Sequence, residues 1–365
     1  MWIWEDQNWP NFTYDNEAIL PILEKCIQAV SPLKQLSNML TIDQRLDWEA
    51  AVLLDETLSS AKIEGELFDR DSVRSSIVNK LGISQGNKFH QQSDSMVELL
   101  LRAIRFVDPE LNHYTIKAWH QLLFPIKPLV TPMTIGEYRN DKMQILSGRY
   151  GKQQVHFQAP GINQQQVYDE MSLFFHWLNS PYEGSAYIRA AIAKFWFVTI
   201  HPFDDGNGRL SRVLAERCLA EAEQTNLRLF SLSSVFEANR NEYYQQLENK
   251  QRGDTDLTKW IIWFLSQVEQ AALNAKLEFE RVIQTTYFWH KHQATQLNER
   301  QLKLIRRLLA TDDFSEGISR SKYKALVKTS DATAIRDLAS LVDKQILASF
   351  GGGRSYKYVL IDKKN

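Results

Sequence analysis

At 365 residues the chain is long enough for two or three domains, and its 44% hydrophobic and 24% charged residues are ordinary for a soluble globular protein. A formal net charge of −1 excludes whole-chain attraction to nucleic acid or to a membrane surface. Cys26 and Cys218 form no framework of pairs and read as reduced core thiols, which fits a cytoplasmic location; the start, Met1-Trp2-Ile3-Trp4-Glu5-Asp6, lacks the regions of a signal peptide, and no run approaches the roughly twenty apolar residues of a membrane span.

Residues 1–14 are rich in aromatics and read as an arm tucked against a core. Residues 15–38 carry Ile19, Leu20, Ile22, Leu23, Cys26, Ile27 and Val30 at helical spacing. The next helix, Asp43 to Glu64, ends in Ser60-Ala61-Lys62-Ile63-Glu64-Gly65. Ser60 and Glu64 lie four apart and share a face, and Gly65 supplies a helix C-cap. Three more helices are predicted over Asp71–Leu81, Ser93–Phe106 and Thr115–Leu123, with a polar loop from Gly82 to Gln92 and a break at Asp108-Pro109.

From Thr131 to Pro160 the texture changes. Gly136-Glu137-Tyr138-Arg139 leads into Met143-Gln144-Ile145-Leu146-Ser147-Gly148, a Gly/Lys turn, and Gln154-Val155-His156-Phe157. Two short alternating runs around a glycine turn predict a β-hairpin in an otherwise helical chain. Helices follow at Gln164–Leu178 and Ser185–Ile200.

The most informative stretch comes next: His201-Pro202-Phe203-Asp204-Asp205-Gly206-Asn207-Gly208-Arg209-Leu210-Ser211-Arg212. It reads as a tight loop between the apolar run Ala190–Ile200 and a further amphipathic segment, Val213–Ala222. Gly206 and Gly208 allow a sharp turn and close approach to a ligand. The helix that follows aims its unpaired N–H groups and positive dipole end at the loop, a ready anion pocket. Arg209 and Arg212, three apart, can both hold phosphate oxygens there. Asp205 is a hard oxygen ligand suited to Mg²⁺ beside those phosphates, and His201 is the one group that can take up a proton near neutral pH. The combination predicts phosphoryl-type transfer from a Mg-nucleotide to a hydroxyl.

Residues 232–250 are predicted as one helix carrying Tyr243-Tyr244 and Leu247, with Gln251-Arg252-Gly253-Asp254 beyond it and a Trp- and Phe-rich helix over 255–290. The last piece, 297–365, holds 14 Lys and Arg against 8 Asp and Glu. Helices at Arg300–Leu309, Ser321–Val327 and Ala332–Lys344, with Asp331 as the cap of the third, precede strands at Ile346–Phe350 and Ser355–Leu360 around Gly351-Gly352-Gly353. That is a winged-helix layout. Its third helix offers only Thr333, Arg336 and Lys344 among Asp337 and Asp343. Protein docking is therefore favoured over DNA binding, which stands as the alternative of a DNA-binding regulator.

His201 to Arg212 resembles the Fic-domain motif, His-Pro-Phe-x-Asp/Glu-Gly-Asn-Gly-Arg-x-x-Arg, at every fixed position. Fic proteins are mostly helical enzymes that move AMP from ATP to a Ser, Thr or Tyr hydroxyl of a target protein. The resemblance implies His201 as base, Asp205 for Mg²⁺, Gly206, Asn207, Gly208 and Arg209 for the α- and β-phosphates, and Arg212 for the γ-phosphate. It implies that Tyr244 and Gln251 line the nucleoside pocket. It also makes the hairpin, Gln144, Ile145, Leu146 and Ser147 above all, a flap that holds the target by strand addition. Ser60, Glu64 and Gly65 match the family's inhibitory pattern, Ser/Thr-x-x-x-Glu-Gly/Asn. Glu64 would then compete with the γ-phosphate for Arg212, two like charges at one guanidinium. The expected fold is mainly α: an N-terminal helical region with the inhibitory helix (1–110), a Fic helical bundle with a β-hairpin flap (111–290) and a C-terminal winged-helix (α+β) domain (297–365). The expected protein is an autoinhibited, cytoplasmic protein adenylyltransferase with no membrane partner. AMP removal and a Doc-like phosphotransfer are the rival activities, and homodimerisation is left open.

Overall fold

The computed structural model describes residues 1–83, 90–126, 133–147, 154–225, 227–311, 313–352 and 356–361. Helix dominates them, and the chain divides into two compact units, Met1–Ala275 and Lys276–Asn365. In order the elements are α1 (Asn16–Met39), α2 (Ile42–Ile63), α3 (Arg70–Lys80), α4 (Gln91–Ile104), α5 (His113–Leu123), β1 (Gln144–Ser147), β2 (Gln154–Gln158), α6 (Gln164–Asn179), α7 (Ala186–Ile200), α8 (Asn207–Ala222), α9 (Leu232–Ala238), α10 (Arg240–Lys250) and α11 (Thr258–Lys291). There follow α12 (Glu299–Ala310), β3 (Ile318–Ser319), α13 (Arg320–Val327), α14 (Asp331–Asp343), β4 (Leu347–Phe350) and β5 (Lys357–Leu360).

The centre of the first unit is α7, apolar all round and therefore buried all round. Every residue from Ala190 to Ile200 is buried, Lys194 included. Phe174 of α6, Leu210 and Leu214 of α8, Val235 and Phe236 of α9 and Trp260 and Phe264 of α11 share its core. Two helix starts carry strong local signals. Asp15 accepts from the N–H groups of Glu17 and Ala18 at α1, and Thr41 forms a reciprocal capping box with Gln44 at α2. The aromatic arm is tied down as expected. Ile3 N–H donates to the Gln251 carbonyl (2.9 Å), Trp2 meets Phe157 edge-on, and Phe12 packs against Trp196.

The hairpin forms where the alternation predicts it. β1 pairs antiparallel with β2, Gln144 opposite Gln158 and Ser147 opposite Gln154, with a bulge between Ile145 and Leu146. Three local expectations are corrected. Residues 232–250 make two helices, because Asn239 leaves helical geometry (φ −111°, ψ 34°), as a residue whose side chain competes with the backbone readily does. α8 starts at Asn207, inside the motif, so the phosphate-binding residues predicted for a loop stand on a helix's first turns. The cap of α14 is Ser330, whose hydroxyl accepts from Thr333 N–H, rather than Asp331.

In the second unit the predicted helices and strands occur, with β3 added before α13 and the three strands ordered β3-β5-β4. Leu304, Ile305, Tyr323, Leu338, Leu341 and Leu347 build its core. Thr131, Gly148, Gly353, Ser355 and most of the Gly82–Gln92 loop lie outside the described residues.

Candidate active site

The apolar helix α7 ends at His201, which adopts left-handed geometry (φ 52°, ψ 59°), and Pro202 prevents any continuation. The His201 ring lies 3.1 Å, through Nδ1, from the Val198 carbonyl. A carbonyl only accepts, so Nδ1 carries the hydrogen and Nε2 keeps the lone pair, the state a base needs. Burial pushes the imidazole down to about 4, with Arg139 helping and the Val198 bond and Glu64 opposing. Arg139 fixes the same corner: its fully buried guanidinium donates to the carbonyls of His201 (2.8 Å), Ile200 (3.2 Å), Asp141, Gly161 and Pro160.

Beyond His201 the loop is braced from within. Asn207 accepts from Phe203 N–H and donates to the Phe203 carbonyl, so its side chain is spent holding the turn. A phosphate contact of the kind expected of Asn207 from sequence would have to come from its backbone. Gly206 sits at φ 82°, where a Cβ would stand 2.7 Å from Leu123 and 2.8 Å from Phe124. His120 supports the loop from below. Its Nδ1 accepts from Gly136 N–H (2.8 Å), which leaves Nε2–H for the Asp205 carbonyl (3.2 Å), while its ring stacks on Phe203 at 4.0 Å.

The N-terminus of α8 is occupied by a carboxylate. A Cβ on Gly208 would lie 2.1 Å from Glu64 Oε1, so Glu64 fills the space that the missing side chain leaves. The same oxygen pairs with the Arg212 guanidinium at 2.8 Å. Arg212 also donates through Nε to Ser60 Oγ and through a terminal nitrogen to the Ser60 carbonyl, both at 2.9 Å. Ser60 and Glu64, expected on one face of α2, therefore grip one arginine together. Burial alone would push the Glu64 carboxyl up, but Arg212, Arg209 and His201 outweigh it and hold the group below its ordinary range. Arg209, expected to face an open pocket, is engaged too: it pairs with Glu66 at 2.6 Å, stands 3.7 Å from Asp205 and lies over the Phe124 ring.

A cavity of about 770 Å³ opens beside this cluster. Glu64, His201, Asp205, Gly206, Gly208, Tyr243, Tyr244 and Gln251 line it, with Ile145 and Leu146 of β1. Tyr244 and Gln251 thus line the same cavity as His201. Tyr244 donates its hydroxyl to the Ile63 carbonyl (3.1 Å), while Gln251 is buried with Nε2 3.4 Å from Thr199 Oγ1. Gln144 and Ser147 stand at the ends of β1, on the same strand.

Sequence reasoning missed Glu66, His120 and Lys194. The fully buried Lys194 amine donates to Tyr243 Oη (2.7 Å) and lies over the Tyr243, Phe236 and Trp260 rings. Burial, then repulsion from Arg212, pushes it well below its ordinary value. No spacing rule marks these residues; the one usable signal was Glu66 following Glu64-Gly65.

For Mg²⁺ the donor set fits one role. Asp204 accepts from Thr134 N–H, while Asp205 presents a half-exposed carboxylate at the cavity. Among the described residues no group of three or more His, Cys, Asp or Glu gathers to cage a metal. One carboxylate, with the remaining positions left to phosphate and water, is how Mg²⁺ is commonly held in nucleotide sites.

Residues 110–219 match the Fic/DOC family, and residues 2–83, which contain Ser60, Glu64 and Glu66, match a domain of unknown function, DUF4172. Relatives named protein adenylyltransferase Fic, from Drosophila virilis and Drosophila willistoni, are 26% and 27% identical over 198 residues. Those alignments span 53% of this chain but only 37% and 36% of the relatives' length. In fold the chain is similar to a Fic family protein from Desulfovibrio desulfuricans (TM-score 0.55, 19% identity, 98% of this chain and 99% of that one). It is also similar to a Fic domain containing signaling protein from Bacteroides thetaiotaomicron (TM-score 0.52, 15% identity, 71% and 96%). With the motif on the α7–α8 turn inside the matched segment, residues 110–219 make up a Fic domain.

Proposed function

We propose that the chain is a protein adenylyltransferase in a repressed resting state, moving AMP from ATP to a Ser, Thr or Tyr hydroxyl of a target protein. The observation that carries this reading is the Glu64 carboxylate seated against Gly208 at the N-terminus of α8 and paired with Arg212. An anion already occupies the place where the motif would bind phosphate.

In the working state His201 Nε2 takes the target hydroxyl proton as its oxygen attacks the α-phosphorus, and the bond to the leaving pyrophosphate breaks. The backbone N–H groups at the start of α8 and the Arg209 guanidinium hold the α- and β-phosphates, and Arg212 holds the γ-phosphate once Glu64 withdraws. Asp205 would hold Mg²⁺, which supplies charge neutralisation when bound. Tyr244 and Gln251 line the adenosine end of the cavity. β1 pairs with β2 alone among the described strands, so its outer edge is available to a target segment. Ile145 and Leu146, each 42% exposed, flank that edge.

The test incubates the natural chain, Glu64→Gly and His201→Ala with Mg²⁺, target lysate and ATP labelled at the α- or the γ-phosphate. Transfer of α-label alone, strongest for Glu64→Gly and lost in His201→Ala, is expected. Transfer of γ-label would replace this reading with Doc-like phosphotransfer. AMP removal is a second reading, favoured by a Glu64 carboxylate that lines the same cavity as His201, where it could orient a water. Release of AMP from a labelled adduct, lost in Glu64→Gly, would establish it.

We read the second unit as a protein-docking module. Two of its arginines are committed within it, Arg300 to Asp337 and Arg307 to Asp313, and α14 exposes Ile335 beside Arg336. A salt-dependent mobility shift with duplex DNA at low salt would overturn this in favour of DNA binding.

A further inference from the structure

Glu66 belongs to no part of the motif, yet it meets the other phosphate arginine. Its placement follows from the way α2 ends. Gly65 takes φ 83°; its N–H donates to the Lys62 carbonyl and the Glu66 N–H to the Ala61 carbonyl, both at 3.0 Å. That pair of bonds is a Schellman turn, which fixes the residues on either side of the glycine. Glu64, just before it, reaches Arg212; Glu66, just after it, reaches Arg209. Arg209 is 1% exposed and packs on Phe124, so its guanidinium has little freedom to serve Glu66 and a phosphate in turn. The Glu66–Arg209 pair is also incompletely satisfied. Glu66 Oε2 and Arg209 Nε are both buried and make no hydrogen bond among the described residues. A phosphate brings several acceptor oxygens and could supply Arg209 with more than Glu66 does.

We propose that Glu66 is a second, separate gate on the nucleotide site: it competes with the α- and β-phosphates for Arg209, as Glu64 competes with the γ-phosphate for Arg212. This rests on the adenylyltransferase reading for the assignment of phosphates to arginines. Its consequence is a specificity that one gate alone would not give. Glu64, through Arg212, weakens triphosphates beyond what its seat at Gly208 costs every nucleotide, whereas Glu66, through Arg209, weakens ADP and ATP alike. The two carboxylates also differ in setting. Burial, with Asp205 and Glu64 nearby, raises the Glu66 carboxyl despite Arg209, whereas Glu64 is held low.

The experiment measures ADP and ATP binding by calorimetry, with Mg²⁺, for the full natural chain, Glu64→Gly, Glu66→Ala, Glu66→Gln and the Glu64→Gly/Glu66→Ala double variant. Glu66→Gln keeps the side chain's size, and melting curves report folding of each protein. Glu66→Ala and Glu66→Gln are expected to bind ADP about tenfold more tightly, the scale of one charge-assisted contact to a buried arginine. Glu64→Gly should tighten ATP about tenfold more than it tightens ADP, whereas the Glu66 variants should tighten both by the same factor. ADP affinity unchanged in both Glu66 variants, with α-label transfer by Glu64→Gly intact, would sink the second gate and leave the functional reading standing. ADP binding by none of the five proteins would sink both. A double variant that binds ADP no more tightly than Glu64→Gly alone would mean a single gate, and would also overturn the proposal.

Discussion

The turn between α7 and α8 and the end of α2 face each other across the site, and they are built in opposite ways. The turn is closed largely by its own bonds. Asn207 closes on Phe203 and His201 bonds back to Val198, while Arg139, His120, Leu123 and Phe124 brace it from outside. The end of α2 holds two acidic residues, each with its side chain 30% exposed, against two arginines that the local turn at Gly65 alone would not find. Its contacts are distant in sequence: Ser60 to Arg212 spans 152 residues and Glu66 to Arg209 spans 143. The proposed chemistry thus lies in one contiguous stretch, whereas the proposed restraint depends on contacts far apart in sequence. A restraint of that kind can be removed without damaging what it restrains.

Four changes break or sharpen this contrast. The largest effect belongs to the local side: His201→Ala in a Glu64→Gly background should lower α-label transfer by about 10²–10⁴-fold, the usual worth of a positioned base, with little change in melting temperature. On the distant side, Glu64→Gly should raise transfer by about 10–100-fold, the scale of 1–3 kcal/mol of coupling. Gly208→Ala tests whether carboxylate and phosphate share one seat. Its Cβ would stand 2.1 Å from Glu64 Oε1 and 3.3 Å from the Arg212 guanidinium. It should therefore expel Glu64 and yet give no gain, because the phosphate meets the same methyl group; transfer above that of the natural chain would show two seats.

The smallest effect is one of pH. A histidine at its ordinary value would lose half its base form near pH 6.5. His201, pushed down to about 4, stays deprotonated from pH 8 to 5, so kcat/KM of Glu64→Gly should be flat over that range. The sign for stability is opposite. The unfolded chain binds this proton first, so His201 makes stability fall as pH drops from 6.5 towards 4. Glu64 is depressed, so its pair with Arg212 is complete above the ordinary carboxylate value and is lost only as pH falls through its lower folded value. The ratio of Glu64→Gly to natural activity should therefore be constant between pH 5 and 8. A ratio that collapses near pH 6 would show that Glu64 is not held ionised.

What could be read from sequence follows the same divide. The His201–Arg212 stretch was legible because its glycines, arginines and acids stand in one order with one physical purpose. The hairpin was legible because the runs Gln144–Ser147 and Gln154–Phe157 are too short for a helix and flank a glycine turn. Glu64 was legible only through its spacing from Ser60 and the glycine after it. Glu66 was invisible because an acid after a helix end is ordinarily solvated, and only the turn at Gly65 brings it inward. Lys194 sits in an apolar run whose periodicity says nothing of what the amine meets. His120 is one polar residue on α5, and its two partners, Gly136 and Asp205, lie 16 and 85 residues away. The break at Asn239 was missed because a single residue interrupts an otherwise continuous helical pattern.

The Schellman turn at Gly65 has a bearing on how the proposed repression would be lifted. Helix ends are the least costly part of a fold to open, and excursions there need no domain movement. Fraying of the last turn of α2 would withdraw Glu64 and Glu66 together while the upstream contacts of the helix stay closed. Glu56, for one, remains bonded to Ser231 and Ser233. Activation would then be a local unfolding event, and anything that binds the loosened Ser60–Glu66 segment, or alters its charge, would set the waking rate.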